Sequence, residues 1–192
     1  MNTELGRFVI RDISPWEAPR VFRLTGDPQV TRHMGFRTHE TEAEAVELIA
    51  RYNSNPTVKW LGIASKDTPG ELLGIVGFEV QRHAATLTIM FSRDWRARGA
   101  GRAFSAPFVE WIFTHPQIWR VWAYCHVDNL PVQRVLERMG AEREGRLRRF
   151  EIFPNLGPEP QDVYVYAIVK GQNAVAKEPS PENIVPKPEP LL

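Results

Sequence analysis

Apolar residues recur along the chain in two periods. Ala45, Leu48, Ile49 and Tyr52 follow one another at helical spacing behind Thr41-Glu-Ala-Glu44. That tetrapeptide is a capping-box pattern, in which the threonine and the glutamate three residues on each satisfy an orphan amide. The spacing predicts a helix there. Phe104, Phe108, Trp111 and Ile112 fall at i, i+4, i+7 and i+8 and predict a second helix. Pro107 lies inside it and is expected to kink it by removing the amide bond to Ala103. Val132, Val135, Leu136 and Met139 mark a short third helix that stops at Gly140, a residue suited to a left-handed cap. Near the front, Ser14-Pro15 with Trp16, Val21, Phe22 and Leu24 predicts a capped amphipathic helix, limited by Pro19 to its first turns.

The other period is two. Phe8 to Ile13 is a short β-type run, and Val58 to Ser65, Leu72 to Gln81 and Thr86 to Phe91 read together as an antiparallel meander. Val121, Ala123, Cys125 and Val127 alternate with Trp122, Tyr124 and His126, as in a strand with both faces in use. Two last strands are predicted at Glu142 to Phe150 and Asp162 to Val169, flanking a Pro/Gly loop at Pro154 to Pro160. No internal repeat is visible. Strands and helices mixed in this order predict one α/β or α+β domain, residues 1–170, with helices on the sheet faces. The last 22 residues, Gly171 to Leu192, hold five of the 16 prolines and no aromatic residue, and read as a disordered tail.

Composition narrows the function classes. The chain has 192 residues, 43% hydrophobic and 24% charged, with a formal net charge of +1. No molecule-wide field favours nucleic acid or an acidic membrane, so neither is expected as a partner. One cysteine, Cys125, excludes an internal disulfide and a cysteine-rich zinc site. No metal is expected. No stretch reaches the ~18–20 apolar residues of a membrane span, and the first residues lack a basic-then-apolar leader pattern. The expected compartment is the cytoplasm.

The segment richest in chemistry is Trp95-Arg-Ala-Arg-Gly-Ala-Gly-Arg-Ala103, a strand-to-helix turn with Gly99 and Gly101 among Arg96, Arg98 and Arg102. A helix start presents unpaired amides and a positive dipole end, glycine permits close approach, and arginine adds charge-assisted bonds to phosphate. Neither a Walker loop nor a third glycine of a dinucleotide fingerprint is present. A solvated arginine turn is the alternative for the residues alone.

Arg96-x-x-Gly99-x-Gly101 after an apolar strand resembles the R/Q-x-x-G-x-G/A acetyl-coenzyme A loop of the GNAT acyltransferase superfamily. Asn129-x-x-x-x-Arg134-Val-Leu-Glu-Arg-Met-Gly140-Ala, then Glu144-Gly-x-Leu-Arg148, is similar to the ribosomal-protein N-acetyltransferase (RimJ/RimL-type) branch. The resemblance covers roughly Phe8 to Lys170, most closely Phe91 to Arg148. It implies a mixed, mostly antiparallel sheet whose central strands splay around a pantetheine arm, with acetyl-coenzyme A as co-substrate. Ile89, Met90 and Phe91 would then offer backbone groups to the pantetheine. The Arg98, Gly99, Ala100, Gly101, Arg102 and Ala103 amides would cradle the pyrophosphate. Asn129 would lie near the pantetheine, or simply cap a helix, and Arg134 would reach a phosphate or remain solvated.

The implied reaction is direct transfer to an amine in a ternary complex, most plausibly a peptide N-terminus. The alternatives are a small amine such as an amino sugar or polyamine, and a non-catalytic coenzyme-binding module. The last is motivated by Leu136, Val132 and Thr86, which stand where that family carries a tyrosine, a serine and a glutamate. Glu79 and His83, at the end of a strand, are the nearest sequence candidates for a base. Tyr124 and His126 are candidates to line the acceptor cleft, with Trp16, Phe36 and Trp60 as further walls. Cys125 is read as core. The arginines at 143, 146, 148 and 149 suit an acidic acceptor or a solvated face. A homodimer is compatible with all of this.

Overall fold

In the computed structural model, which describes residues 2–171, one eight-stranded sheet carries six helices. The predicted tail lies outside the described residues except for Gly171. The strands are β1 (Asn2–Leu5), β2 (Phe8–Asp12), β3 (Val58–Ser65), β4 (Gly74–Gln81), β5 (Ala84–Phe91), β6 (Arg120–His126), β7 (Glu142–Glu151) and β8 (Gln161–Val169). They lie in the order β1-β2-β3-β4-β5-β6-β8-β7. The β3-β4-β5 meander forms as the alternation predicts, antiparallel throughout. β1 was not anticipated: its four residues hold one buried side chain, Leu5, too few for a period to show.

The helices are α1 (Ala18–Thr25), α2 (Pro28–Thr31), α3 (Glu42–Ser54), α4 (Arg93–Ala97), α5 (Ala100–Phe113) and α6 (Leu130–Arg138). Three differences from the sequence reading have local causes. A 3-10 turn (Pro15–Glu17) precedes α1, so Pro19 falls in the first turn of α1, where a missing amide costs nothing, and the helix runs on to Thr25. The stretch read as a Gly/Arg loop contains α4, which ends where Gly99 turns left-handed at φ 74°. Residues 28–31, too short for a periodic signal, form α2, capped by the Asp27 carboxylate on the Gln29 amide at 2.8 Å. The capping box of α3 is present in its glutamate arm: Glu44 accepts from the amides of Glu40 and Thr41 at 2.8 and 2.9 Å.

Each sheet face has its own core. On one, Phe104, Phe108, Trp111 and Ile112 of α5 pack on Phe8, Val76, Phe78, Leu87 and Val121. The Phe104 and Phe108 rings stack at 5.2 Å, with Phe8 edge-on to Phe104 at 5.6 Å. Each such fully buried ring contributes about 1.5–3 kcal/mol relative to exposure. On the other face, Val21, Leu24, Ala45, Leu48 and Ile49 of α1 and α3 cover Ile75 and Met90. β7 is different: nine of its ten residues are exposed, and it pairs only with β8.

Candidate active site

The site begins with a break in the sheet. β5 and β6 are the parallel pair, and they pair only at Ala84–Arg120, Ala85–Val121 and Thr86–Trp122. Beyond that, Leu87–Phe91 and Ala123–His126 diverge. The amides and carbonyls of β5 that turn away from β4 therefore have no strand partner across the gap and are free for a ligand carrying amides of its own. Ile89 and Phe91 present such groups, whereas Met90, expected to do the same, turns its backbone to β4: its carbonyl faces Gly74, so the alternation of the ladder takes it out of the gap.

At the open end stands the glycine turn. The first intrahelical bond of α5 is made by the Ala103 amide to Gly99 at 3.2 Å, so the Ala100, Gly101 and Arg102 amides lie ahead of the ladder, with no side-chain cap. Nothing lies within 4 Å of where a Gly99 Cβ would sit. Gly101 instead faces α6: a Cβ there would touch Val135 at 3.7 Å. These features fit a diphosphate: three convergent amides, a positive helix end, and exposed Arg98 and Arg102 beside them. Arg98 rests over the Trp95 ring at 5.4 Å. Arg96, the first motif residue, does something the sequence did not indicate: its guanidinium donates to the Gln29 carbonyl at 3.1 Å. Arg134 is exposed on α6. Asn129 is the N-cap residue of α6: its carbonyl accepts from the Val132 and Gln133 amides at 3.1 Å, and its side chain makes no capping bond.

The α1 and α3 face of the gap carries the polar side chains. The register puts Glu79, Thr86 and Trp122 in one row across three strands, and period-2 alternation adds Tyr124 and His126 to the same face. Val121, Ala123 and Cys125 point the other way, into the core, as the alternation predicts. Burial pushes the Cys125 thiol up to about 11. The Tyr124 hydroxyl donates to Glu151 Oε2 at 2.6 Å. Burial and that carboxylate raise the phenol well above its ordinary value. Glu151 also accepts from the Ile152 amide at 3.1 Å and lies 4.0 Å from the Cβ position of Gly35. Sequence reasoning missed Glu151. The one signal for it was an acid standing just after the run of arginines.

A roof crosses this face, built from the segment 28–38. Asn155, in the turn before β8, accepts from the Thr38 amide at 2.9 Å and donates to the Thr31 and Phe36 carbonyls at 2.8 and 2.9 Å. His33 of the roof packs on His126 with the rings tilted at 31° and their centres 5.1 Å apart, and Phe153 stands edge-on to both rings at 6.3 and 5.3 Å. Burial, then His126 and Arg32, push His33 down to about 4. His126 is buried, and its Nδ1 accepts from the Asp128 amide at 3.0 Å, so the ring proton of the neutral form sits on Nε2.

Of the two sequence candidates for a base, Glu79 keeps its place in that row and His83 does not. His83 is exposed in the β4–β5 turn, at the paired end of the gap, where its carbonyl accepts from Trp119 and Arg120 at 2.9 and 3.2 Å. Glu79 is half-buried on the cleft face and accepts from Gln81 at 2.9 Å. Trp60 is stacked on Tyr52 at 3.9 Å, and Trp16 is 68% exposed, its ring under Arg20 rather than at the gap. Among the described residues no cluster of three or more His, Cys, Asp or Glu could hold a metal, and no helix is long and apolar enough to cross a membrane.

Comparison with known proteins agrees with this architecture. Residues 7–142 match the family model of the acetyltransferase (GNAT) domain. The chain is 30% identical over 175 residues to the uncharacterized N-acetyltransferase YoaA of Bacillus subtilis (strain 168), covering 87% of this chain and 96% of that one. Among solved structures it shares its fold with RimL, a ribosomal L7/L12 alpha-N-protein acetyltransferase in complex with coenzyme A. The TM-score is 0.74 at 15% identity, over 88% of this chain and 98% of that one. Spermidine N-acetyltransferase from Vibrio cholerae, in complex with coenzyme A and spermine, superposes with a TM-score of 0.72 at 16% identity, over 85% and 96%.

Proposed function

Because the chain belongs to the acetyltransferase (GNAT) family and is an acyltransferase, we propose that it moves an acetyl group from acetyl-coenzyme A to a peptide or protein amino terminus. Glu151 takes the proton of the amine. The observation that carries this reading is the 2.6 Å bond from Tyr124, on the diverging strand, to Glu151 beneath the roof. It sets a carboxylate, oriented by a phenol and a backbone amide, on the cleft face, one phenol's length from the strand that borders the gap. With family membership, this argues against a non-catalytic module despite Leu136, Val132 and Thr86.

The pyrophosphate sits on the Ala100, Gly101 and Arg102 amides, those of Arg98, Gly99 and Ala103 being bonded to Asp94, Arg96 and Gly99, with the Arg98 and Arg102 side chains alongside, and Arg134 reaches a phosphate from α6. The pantetheine amides pair with the free backbone of Ile89 and Phe91, and Asn129 meets the arm from the other strand. The amine loses a proton to Glu151, its nitrogen forms the new bond to the thioester carbonyl carbon, and a β5 amide facing the gap steadies the oxyanion. The carbon–sulfur bond then breaks and the departing thiolate takes a proton from solvent. Tyr124 holds Glu151 in place, and His126 acts as a packed wall.

The choice of a peptide over a small amine is supported by the border of the cleft. β7 runs into Glu151 with both faces exposed, and Phe150 and Ile152 beside it are 48% and 45% exposed. That is an open bank along which an extended chain can lie. The test is thiol release from acetyl-coenzyme A with N-terminal peptides, spermidine and an amino sugar as acceptors, followed by mass mapping. Acetylation at the peptide α-amine is expected; turnover with the small amines and none with peptides would replace this reading with its alternative.

A further inference from the structure

Arg96 and Arg93 stand in the segment that presents the coenzyme amides, yet both reach across to the turn that begins the acceptor roof. Arg96 Nη1 donates to the Gln29 carbonyl at 3.1 Å, and Arg93 Nε lies 4.0 Å from Asp27 Oδ2. Asp27 in turn caps α2 through the Gln29 amide at 2.8 Å. Both arginines therefore converge on one three-residue turn, Asp27–Gln29. The far end of the same segment is held by Asn155, so the roof that places His33 against His126 has one mooring on the coenzyme side and one beside Glu151.

We propose that Arg96 is a positioning residue for the acceptor wall, bridging the coenzyme phosphate to the Gln29 carbonyl so that bound coenzyme fixes the roof. A guanidinium has five donors in a planar fork, and the Gln29 carbonyl engages one of them. A phosphate on the neighbouring α5 amides takes donors still available and freezes the Arg96 rotamer without displacing that bond. Ordering at one ligand site is thereby passed to the wall of the other, and linkage makes the coupling reciprocal. Lysine carries the same charge but no fork and cannot grip both partners in fixed geometry. The inference rests on the coenzyme assignment made above.

The test is hydrogen–deuterium exchange of residues 28–38 in the full chain, with and without saturating coenzyme A, beside calorimetry of coenzyme A binding. In the wild type the roof amides are expected to slow by about tenfold on binding, within the range of ordinary site-to-site coupling. In Arg96→Lys coenzyme A binds several-fold more weakly and, at saturation, leaves roof exchange unchanged. Asp27→Asn keeps the cap but not the charge facing Arg93; it binds coenzyme A as before with a reduced roof response, and its KM for a peptide acceptor rises while its KM for acetyl-coenzyme A does not. Roof exchange that ignores bound coenzyme in the wild type, or a response that survives in both variants, overturns the proposal. Calorimetry that stays flat for the wild type overturns the coenzyme reading itself, a different and separately visible failure.

Discussion

The two banks of the gap are built in opposite ways. The bank proposed for the coenzyme is backbone: amides ahead of the α5 ladder, a left-handed glycine, and strand edges that lack a neighbour. The bank proposed for the acceptor is side chain: a phenol on a carboxylate, two imidazoles in tilted contact, and an asparagine that stitches residues more than a hundred positions away in the chain. The difference matters for tolerance. A backbone site survives most substitutions except those that alter the main-chain path, whereas a side-chain site is lost by one exchange and retuned by another.

The sharpest way to break this contrast is at Glu151. Glu151→Gln keeps the shape and removes the proton acceptor, and is expected to lower kcat about 100- to 1000-fold, in the range of general-base contributions. Coenzyme affinity by calorimetry should not move; a joint loss of both would show the two banks to be one unit. Next is Gly99→Val. With φ at 74° and open space around it, the penalty is conformational, about 1–2 kcal/mol for a residue with a Cβ in that region. Coenzyme A binding should weaken roughly tenfold, since about 1.4 kcal/mol is one decade of affinity. Gly101→Val should act differently: the side chain meets Val135 and parts α5 from α6, so a lower Tm is expected alongside weaker binding.

On the acceptor bank, Asn155→Ala removes the stitches to Thr31, Phe36 and Thr38. It is expected to cost about 1–3 kcal/mol in urea unfolding from the part-buried groups left unpaired. The acceptor KM should rise while the coenzyme Kd stays. The last effect is pH-linked. His33 is depressed from 6.5 to about 4 by burial and its neighbours, so between those values the unfolded chain binds a proton that the folded chain refuses. Stability is full above about pH 6.5 and falls as the pH drops toward 4. His33→Gln should flatten that slope, a gain at pH 5 of about 2 kcal/mol, or roughly 4–8 °C in Tm, relative to its effect at pH 8. An equal shift at both pH values would assign the acid sensitivity elsewhere.

The same contrast explains what could be read from the sequence. The meander, α3, α5, the strand Arg120–His126 and the glycine turn were all legible, because each is set by local periods or by spacing within about a dozen residues. So was the inward aim of Cys125. The acceptor bank was not. Tyr124 was a candidate, but its partner Glu151 is 27 residues on and reaches it only because β7 folds back past β8. Asn155 lay in a loop whose composition said nothing of Thr31 or Thr38. Glu79 and His83 were nominated by nearness in sequence, and the β4–β5 hairpin sends His83 to the paired end of the gap. Arg96 had the right motif position while its hydrogen bond went to a carbonyl 67 residues earlier. Contacts of that range are decided by topology, which no local pattern carries.

The three-pair seam at Thr86–Trp122 gives the slot between β5 and β6 a blind end. From Leu87 to Phe91 the open run is four residue steps, about 13 Å at strand rise, so it works as a ruler. A tether moored at the glycine turn, as proposed, could enter no deeper than that seam, so the closed sheet sets its reach.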